Sequence, residues 1–140
     1  MKEKAINDYI KEYPQIHDWL YFNVVLESPG NTSVITDSDN VLQEMIDGSK
    51  EREYLFSIAM IQTYDEGTSD TNMEALEETK KLMDWVHENN KNSDYPKFPD
   101  NCIMDDVEVL TEVPQLTIDI EHKVSRYLIS MRVPYIERST

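Results

Sequence analysis

Apolar positions fall into a few clear periods along the chain. Ile6, Tyr9, Ile10 and Tyr13 recur at i, i+3, i+4 and i+7, which predicts a helix over residues 4–13 that Pro14 stops. Residues 19–26, from Trp19 to Leu26, are apolar and β-prone, and Ser28-Pro29-Gly30-Asn31 breaks them as a turn. Ser33 to Asp37 and Leu42 to Ile46 are two short strand candidates. Asp47-Gly48 is the strongest turn signal, placed before a β-prone run from Arg52 to Tyr64. In that run Tyr54, Phe56, Ile58 and Met60 share one face, while Leu55, Ala59 and Ile61 share the other. Two apolar faces predict a central strand covered on both sides.

After a polar loop, Thr71-Asn72-Met73-Glu74 has capping-box spacing, and Glu74, Glu77 and Glu78 suit the positive end of a helix dipole. Met73, Leu76, Leu82, Met83, Trp85 and Val86 supply an apolar stripe, Glu77 and Lys81 a favourable i, i+4 pair, and Asn89-Asn90 the stop. Residues 91–101, with Pro96 and Pro99, read as an irregular loop. Strand alternation resumes at Val107, Val109 and Thr111, then at Leu116, Ile118 and Ile120 after Pro114, and finally at Tyr127, Ile129, Met131, Val133 and Tyr135. The order is helix, strands, helix, strands. It predicts one α+β domain over residues 1–140, with a mainly antiparallel sheet, one long helix packed on it and a short N-terminal helix.

Composition narrows the function classes. The 140 residues carry 28 acids against 13 bases, a formal charge of −15. This opposes a nucleic-acid binder built on a basic patch and opposes docking on anionic membranes. Area scaling predicts that folding hides about two-thirds of the surface, enough for a core without metal or disulfide. A single cysteine, Cys102, excludes an internal disulfide framework and fits a reducing compartment. The first residues lead into a helical pattern with no apolar signal core, so the Asn31-Thr32-Ser33 sequon carries no expectation of glycosylation.

Candidate chemistry is thin. Asp105-Asp106 with Glu108, and Asp65-Glu66 with Asp70, could offer oxygen ligands, but neither has the twelve-residue calcium-loop pattern. Asp84 and Glu88 share a helix face, where a solvated pair is the ordinary outcome. His17, His87 and His122 lack zinc spacing, and Cys102 has no His and Asp arrangement around it. No catalytic residue, cofactor or metal is expected. Residues 12–49, 53–79 and 98–122 each hold seven acids and no base. Solvated faces are the common meaning of such runs; the functional one is a surface that repels DNA or imitates it. Tyr13, Tyr21, Tyr95 and Tyr135, near element ends, are candidates for a subunit interface, with ordinary partly exposed tyrosines as the alternative.

The Asp47-Gly48-Ser49 turn with Arg52-Glu53-Tyr54-Leu55-Phe56 resembles a hairpin found in small structural proteins of tailed phages and prophages of Gram-positive bacteria. These are labelled minor capsid proteins and are similar to tail terminators, or tail-completion proteins. Leu82-Met83-Asp84-Trp85-Val86-His87-Glu88-Asn89-Asn90 matches the family's aromatic helix end and Asn-rich stop. Arg126-Tyr127-Leu128-Ile129-Ser130-Met131-Arg132 matches its Arg-Tyr-x-Ile-type strand. The likeness covers about residues 19–136. The chain departs at Val113-Pro114-Gln115-Leu116, where the family has a Gly-Tyr-Leu-Phe-like approach, and the pairing of residues 113–121 stays open.

The resemblance implies a virion protein of the head–tail junction, assembled in the host cytoplasm. It would form a homo-oligomeric ring, a hexamer, that ends the tail tube and joins it to the head. Its partners would be its own copies, the tail tube protein and a head-completion or connector protein, with DNA passing through without tight binding. It implies no enzyme activity. Loops 28–32, 65–70 and 91–101 are the expected contacts, with Pro29, Asn31, Asp65, Glu66, Asp70, Tyr95 and Phe98 as interface candidates. The rival reading is an acidic DNA mimic that occupies the DNA site of a host or defence protein; another morphogenesis role, such as a head-completion protein or chaperone, ranks behind it.

Overall fold

A computed structural model describes residues 1–14, 16, 20–23, 29–64 and 70–139, without the side chains of residues 70 and 71. Two helices, α1 (Lys2–Lys11) and α2 (Asp70–Lys91), accompany seven strands: β1 (Leu20–Phe22), β2 (Thr32–Glu44), β3 (Lys50–Thr63), β4 (Cys102–Met104), β5 (Glu108–Val109), β6 (Gln115–Asp119) and β7 (Val124–Glu137). All belong to one sheet, antiparallel except where β1 lies parallel to β2.

The frame is the ladder β2–β3–β7. β3 and β7 pair without a break from Lys50↔Glu137 to Thr63↔Val124. One face of this ladder carries Tyr54, Phe56, Ile58 and Met60 opposite Val133, Met131, Ile129 and Tyr127, all buried. Ala59 and Ile61 on the other face are buried as well, as expected for a strand covered on both sides. On the far side of β7, β4, β5 and β6 follow one another along a single edge, opposite Tyr135–Glu137, Met131–Arg132 and Val124–Leu128 respectively. Within residues 113–121, Gln115–Asp119 thus pair with the start of β7, as a hairpin turned at residues 120–123.

Two expectations change. Ser33–Asp37 and Leu42–Glu44 are not separate strands but parts of β2, whose pairing shifts register at Thr36/Ser38 and at Val41/Gln43, and Met45 and Ile46 lie past its end in the turn. Each bulge adds a residue that exchanges the inward and outward sets, hiding the strand's period of two. The helical layer also differs from one long helix laid on the sheet. α2 enters the core through Ala75, Leu82, Met83 and Val86, but it leans on α1 too: Tyr9 and Tyr13 hold their rings 5.1 and 5.3 Å from that of Trp85. Aromatic pairs at such distances add to simple area burial. Asn89 donates to the buried Tyr9 hydroxyl at 3.3 Å.

The α2 C-terminal end is fixed to the edge chain by one side chain. Asn90 Nδ2 donates to the Val107 carbonyl at 2.8 Å, and the Val107 N–H donates to Asn90 Oδ1 at 2.9 Å. Val107 is fully buried there, which leaves the alternation expected from Val107 to Thr111 with only two strand residues, β5. The β2–β3 turn behaves as its sequence requires. Gly48 adopts φ +88°, and Asp47 Oδ1 accepts from the Ser49 N–H at 2.9 Å and from its hydroxyl at 2.5 Å.

Candidate interaction surface

Of the loops nominated by the sequence, the two within the described residues, 29–32 and 91–101, do not gather into one patch. Pro29 is exposed. Asn31 is buried, and its carbonyl accepts from the Ile61 N–H at 3.0 Å, so it ties its loop to β3. Asp65 and Glu66 lie outside the described residues. Asp70 opens α2, and its side chain is likewise outside the description. Tyr95 is half-buried beside a groove of about 360 Å³ that Lys4, Asp8, Glu12, Asp94 and Lys97 also line.

Phe98 corrects an expectation: it sits in the core rather than on a contact loop. Its ring meets Tyr135 edge-on at 5.2 Å and Tyr54 at 6.0 Å. Pro96 and Pro99 make residues 92–101 irregular, yet within this mostly exposed segment Pro96 and Phe98 turn inward and are buried. Tyr13 and Tyr135 are buried too and offer no interface, whereas Tyr21 is half-buried. Asp84, Glu88, His87 and His122 are exposed, and His17 lies outside the described residues. Among the described residues no cluster of three His, Cys, Asp or Glu side chains could hold a metal, and no helix is long and apolar enough to cross a membrane.

One polar cluster went unseen in the sequence. Where α1 begins, Lys2 Nζ stands 2.9 Å from Asp39 and 3.6 Å from Glu137, while Arg52 lies 3.4 Å from each of the same carboxylates. The Tyr135 hydroxyl donates to Asp39 at 2.6 Å, and Lys2 Nζ sits 4.9 Å above the Tyr135 ring centre. Burial opposes the charge on Lys2, but Tyr135 and Asp39 outweigh it and raise its pKa. Burial likewise opposes Asp39 ionisation, yet Tyr135, Lys2 and Arg52 hold the carboxyl below its usual range. Burial pushes Tyr135 up to about 12, and the bond to Asp39 adds to this.

Cys102 faces the same cluster. Burial pushes its thiol up, away from the thiolate that a nucleophile needs. The arrangement therefore acts as a clamp joining α1, β2, β3 and β7, with two cations balancing two carboxylates. Its partners come from opposite ends of the chain, Lys2 and Glu137 being the farthest apart, and the bulge that turns Asp39 inward leaves no local signature.

The exposed surface has its own pattern. β7 runs 14 residues, about 45 Å at strand rise, and a hairpin turn lies at each end. At one end the β2–β3 tip exposes Val41, Leu42 and Ile46, the last completely (108%). At the other, β6 and its turn expose Leu116, Ile118 and Ile120. Isolated exposed apolar residues are ordinary, but clusters near hairpin turns suit contacts with other chains. No family model and no curated protein matches the chain, so the motifs and this surface carry the functional reading.

Proposed function

We propose that this chain is a structural virion protein, without enzymatic activity, that ends a phage tail tube as a closed ring and joins it to the head. The observation that carries the reading is the position of the family-like motifs. The Asp47-Gly48 hairpin and the Arg126–Arg132 strand belong to one ladder, β2–β3–β7, which exposes Val41, Leu42 and Ile46 at its β2–β3 turn, while β6, paired beside its opposite end, exposes Leu116 and Ile118. A unit built this way can bind a neighbour at each end, and such head-to-tail contacts close into a ring at a fixed rotation. The formal charge of −15 supports passage of DNA without retention, because like charges repel phosphate.

That same charge is the observation favouring the second reading, an acidic DNA mimic. Sedimentation velocity of the purified chain, alone and with the tail tube protein, separates the two when paired with a DNA gel shift. The ring reading expects a closed oligomer in at least one of these mixtures, favoured by higher salt as self-repulsion is screened, and no DNA retardation. A chain that stays monomeric with its tube partner present, or that displaces DNA from a DNA-binding protein, overturns it in favour of the mimic.

A further inference from the structure

We infer that the outer edge of β6 is a docking edge for an extended segment of a partner protein that alternates apolar and basic residues. β6 pairs with β7 on one side only, and no described strand lies on its other side. Its unpaired backbone groups are therefore a template for another strand. Natural edges are blunted by lysines, by prolines within the strand or by bulges. Here Pro114 stands just before the strand, and Gln115-Leu116-Thr117-Ile118-Asp119 contains no base, proline or register shift.

The side chains extend the case. Leu116 and Ile118 stand directly opposite Tyr127 and Ser125, on the face that forms the core under the helices. Yet Leu116 and Ile118 are exposed, as are the flanking Val113 and Ile120. The inner face of the sheet thus continues outward along this edge, uncovered by any described strand or helix. A strand added there would lay every second side chain beside Leu116 and Ile118.

Charge decides the occupant. Glu112 precedes the edge, Asp119 ends it with its carboxylate 2.8 Å from His122 Nδ1, and Glu121 follows it, with Lys123 as the base of the turn. A second copy pairing antiparallel, β6 to β6, would bring Asp119 and Glu121 of each chain toward Glu112 of the other, on molecules that each carry −15. Like charges facing across strands are destabilising. A segment with basic residues between its apolar ones gains at the same positions and is drawn in by the field of the whole molecule. The inference does not depend on the ring reading, since it concerns one chain and one foreign strand.

Titration of the isotope-labelled full chain with a short peptide alternating lysine and valine tests it by amide chemical shifts and calorimetry. The expected result is saturable binding with shifts centred on residues 113–121, weakening about tenfold or more as salt is raised through the range where charges are screened. A peptide alternating glutamate and valine should not bind. Ile118→Lys should reduce affinity at least about tenfold with an unchanged melting temperature, because a lysine on an exposed edge blocks strand addition without touching the core. No binding of the basic peptide, equal binding of the acidic one, shifts centred elsewhere, or dimerisation of the chain through residues 115–119 would each overturn the proposal.

Discussion

The hydroxyl of Tyr135, on β7, donates to Asp39, on β2, at 2.6 Å across the full width of the intervening strand β3. Removing it tests the clamp. Tyr135→Phe keeps the ring against Phe98 but leaves Asp39 with one fewer donor in a partly buried place. A buried hydrogen bond to a charged acceptor is worth about 1.5–3 kcal/mol. Denaturant unfolding should show a loss of about that size with an unchanged m-value; no loss would reduce the bond to a surface contact.

Alkaline pH should act through the same residue. Tyr135 is pushed up to about 12, against about 10 in an unfolded chain. Its contribution is complete below pH 10 and is lost as pH rises toward 12, because the unfolded chain ionises first. Tyr9, which burial also pushes up to about 12, adds to the fall. Melting temperatures measured from pH 8 to 12 should drop mainly above 10, less steeply in Tyr135→Phe. At the acid end Asp39 works in the opposite sense: its contribution holds above about pH 4 and is lost as pH falls through its lowered value.

Ile58 is fully buried at the middle of the ladder, paired with Val34 on one side and Ile129 on the other. Ile58→Asp should leave the domain unfolded, since an unpaired buried carboxylate costs about 4 kcal/mol or more. Circular dichroism would report it, and an unchanged melting curve would remove Ile58 from the core.

Asn90 offers a graded test of how α2 is anchored. Asn90→Ala strips both partners from the buried Val107 backbone and should cost about 1–3 kcal/mol. Asn90→Asp keeps an acceptor for the Val107 N–H but loses the donor, so it should fall between wild type and alanine. Equal stability of all three would mean that solvent replaces the side chain.

Much of the ladder was legible because its signals are local. Ile58 and Met60 keep a period of two, Asp47-Gly48 fixes a turn within four residues, and Ile6, Tyr9 and Ile10 mark a helix face that is indeed buried. What stayed hidden depends on distance or on broken periods. Asp39 faces inward only because a bulge follows Thr36. Phe98 reads as a loop residue because prolines surround it, yet an irregular segment can bury an aromatic as well as a strand can. Lys2 and Glu137 meet although nearly the whole chain separates them. For the candidate surface, composition supplied the acidity, while the β6 edge, with no described strand beyond it, became visible only once Gln115–Asp119 were placed against β7.

The unbroken register between β3 and β7 also governs how the chain acquires its structure. Its pairs join residues that are 61 positions apart at one end (Thr63↔Val124) and 87 at the other (Lys50↔Glu137). Loops of that length must close before the central contacts repay the lost chain entropy, which slows folding relative to a helical domain of equal size. β7 is also the only partner of β4, β5 and β6 within the sheet as described. A ribosome-bound chain ending before Val124 could form the β2–β3 hairpin and the helices, but not the sheet interior that covers them. The domain therefore cannot complete its core until β7 has been made, and the arrival of β7 is the step that commits it.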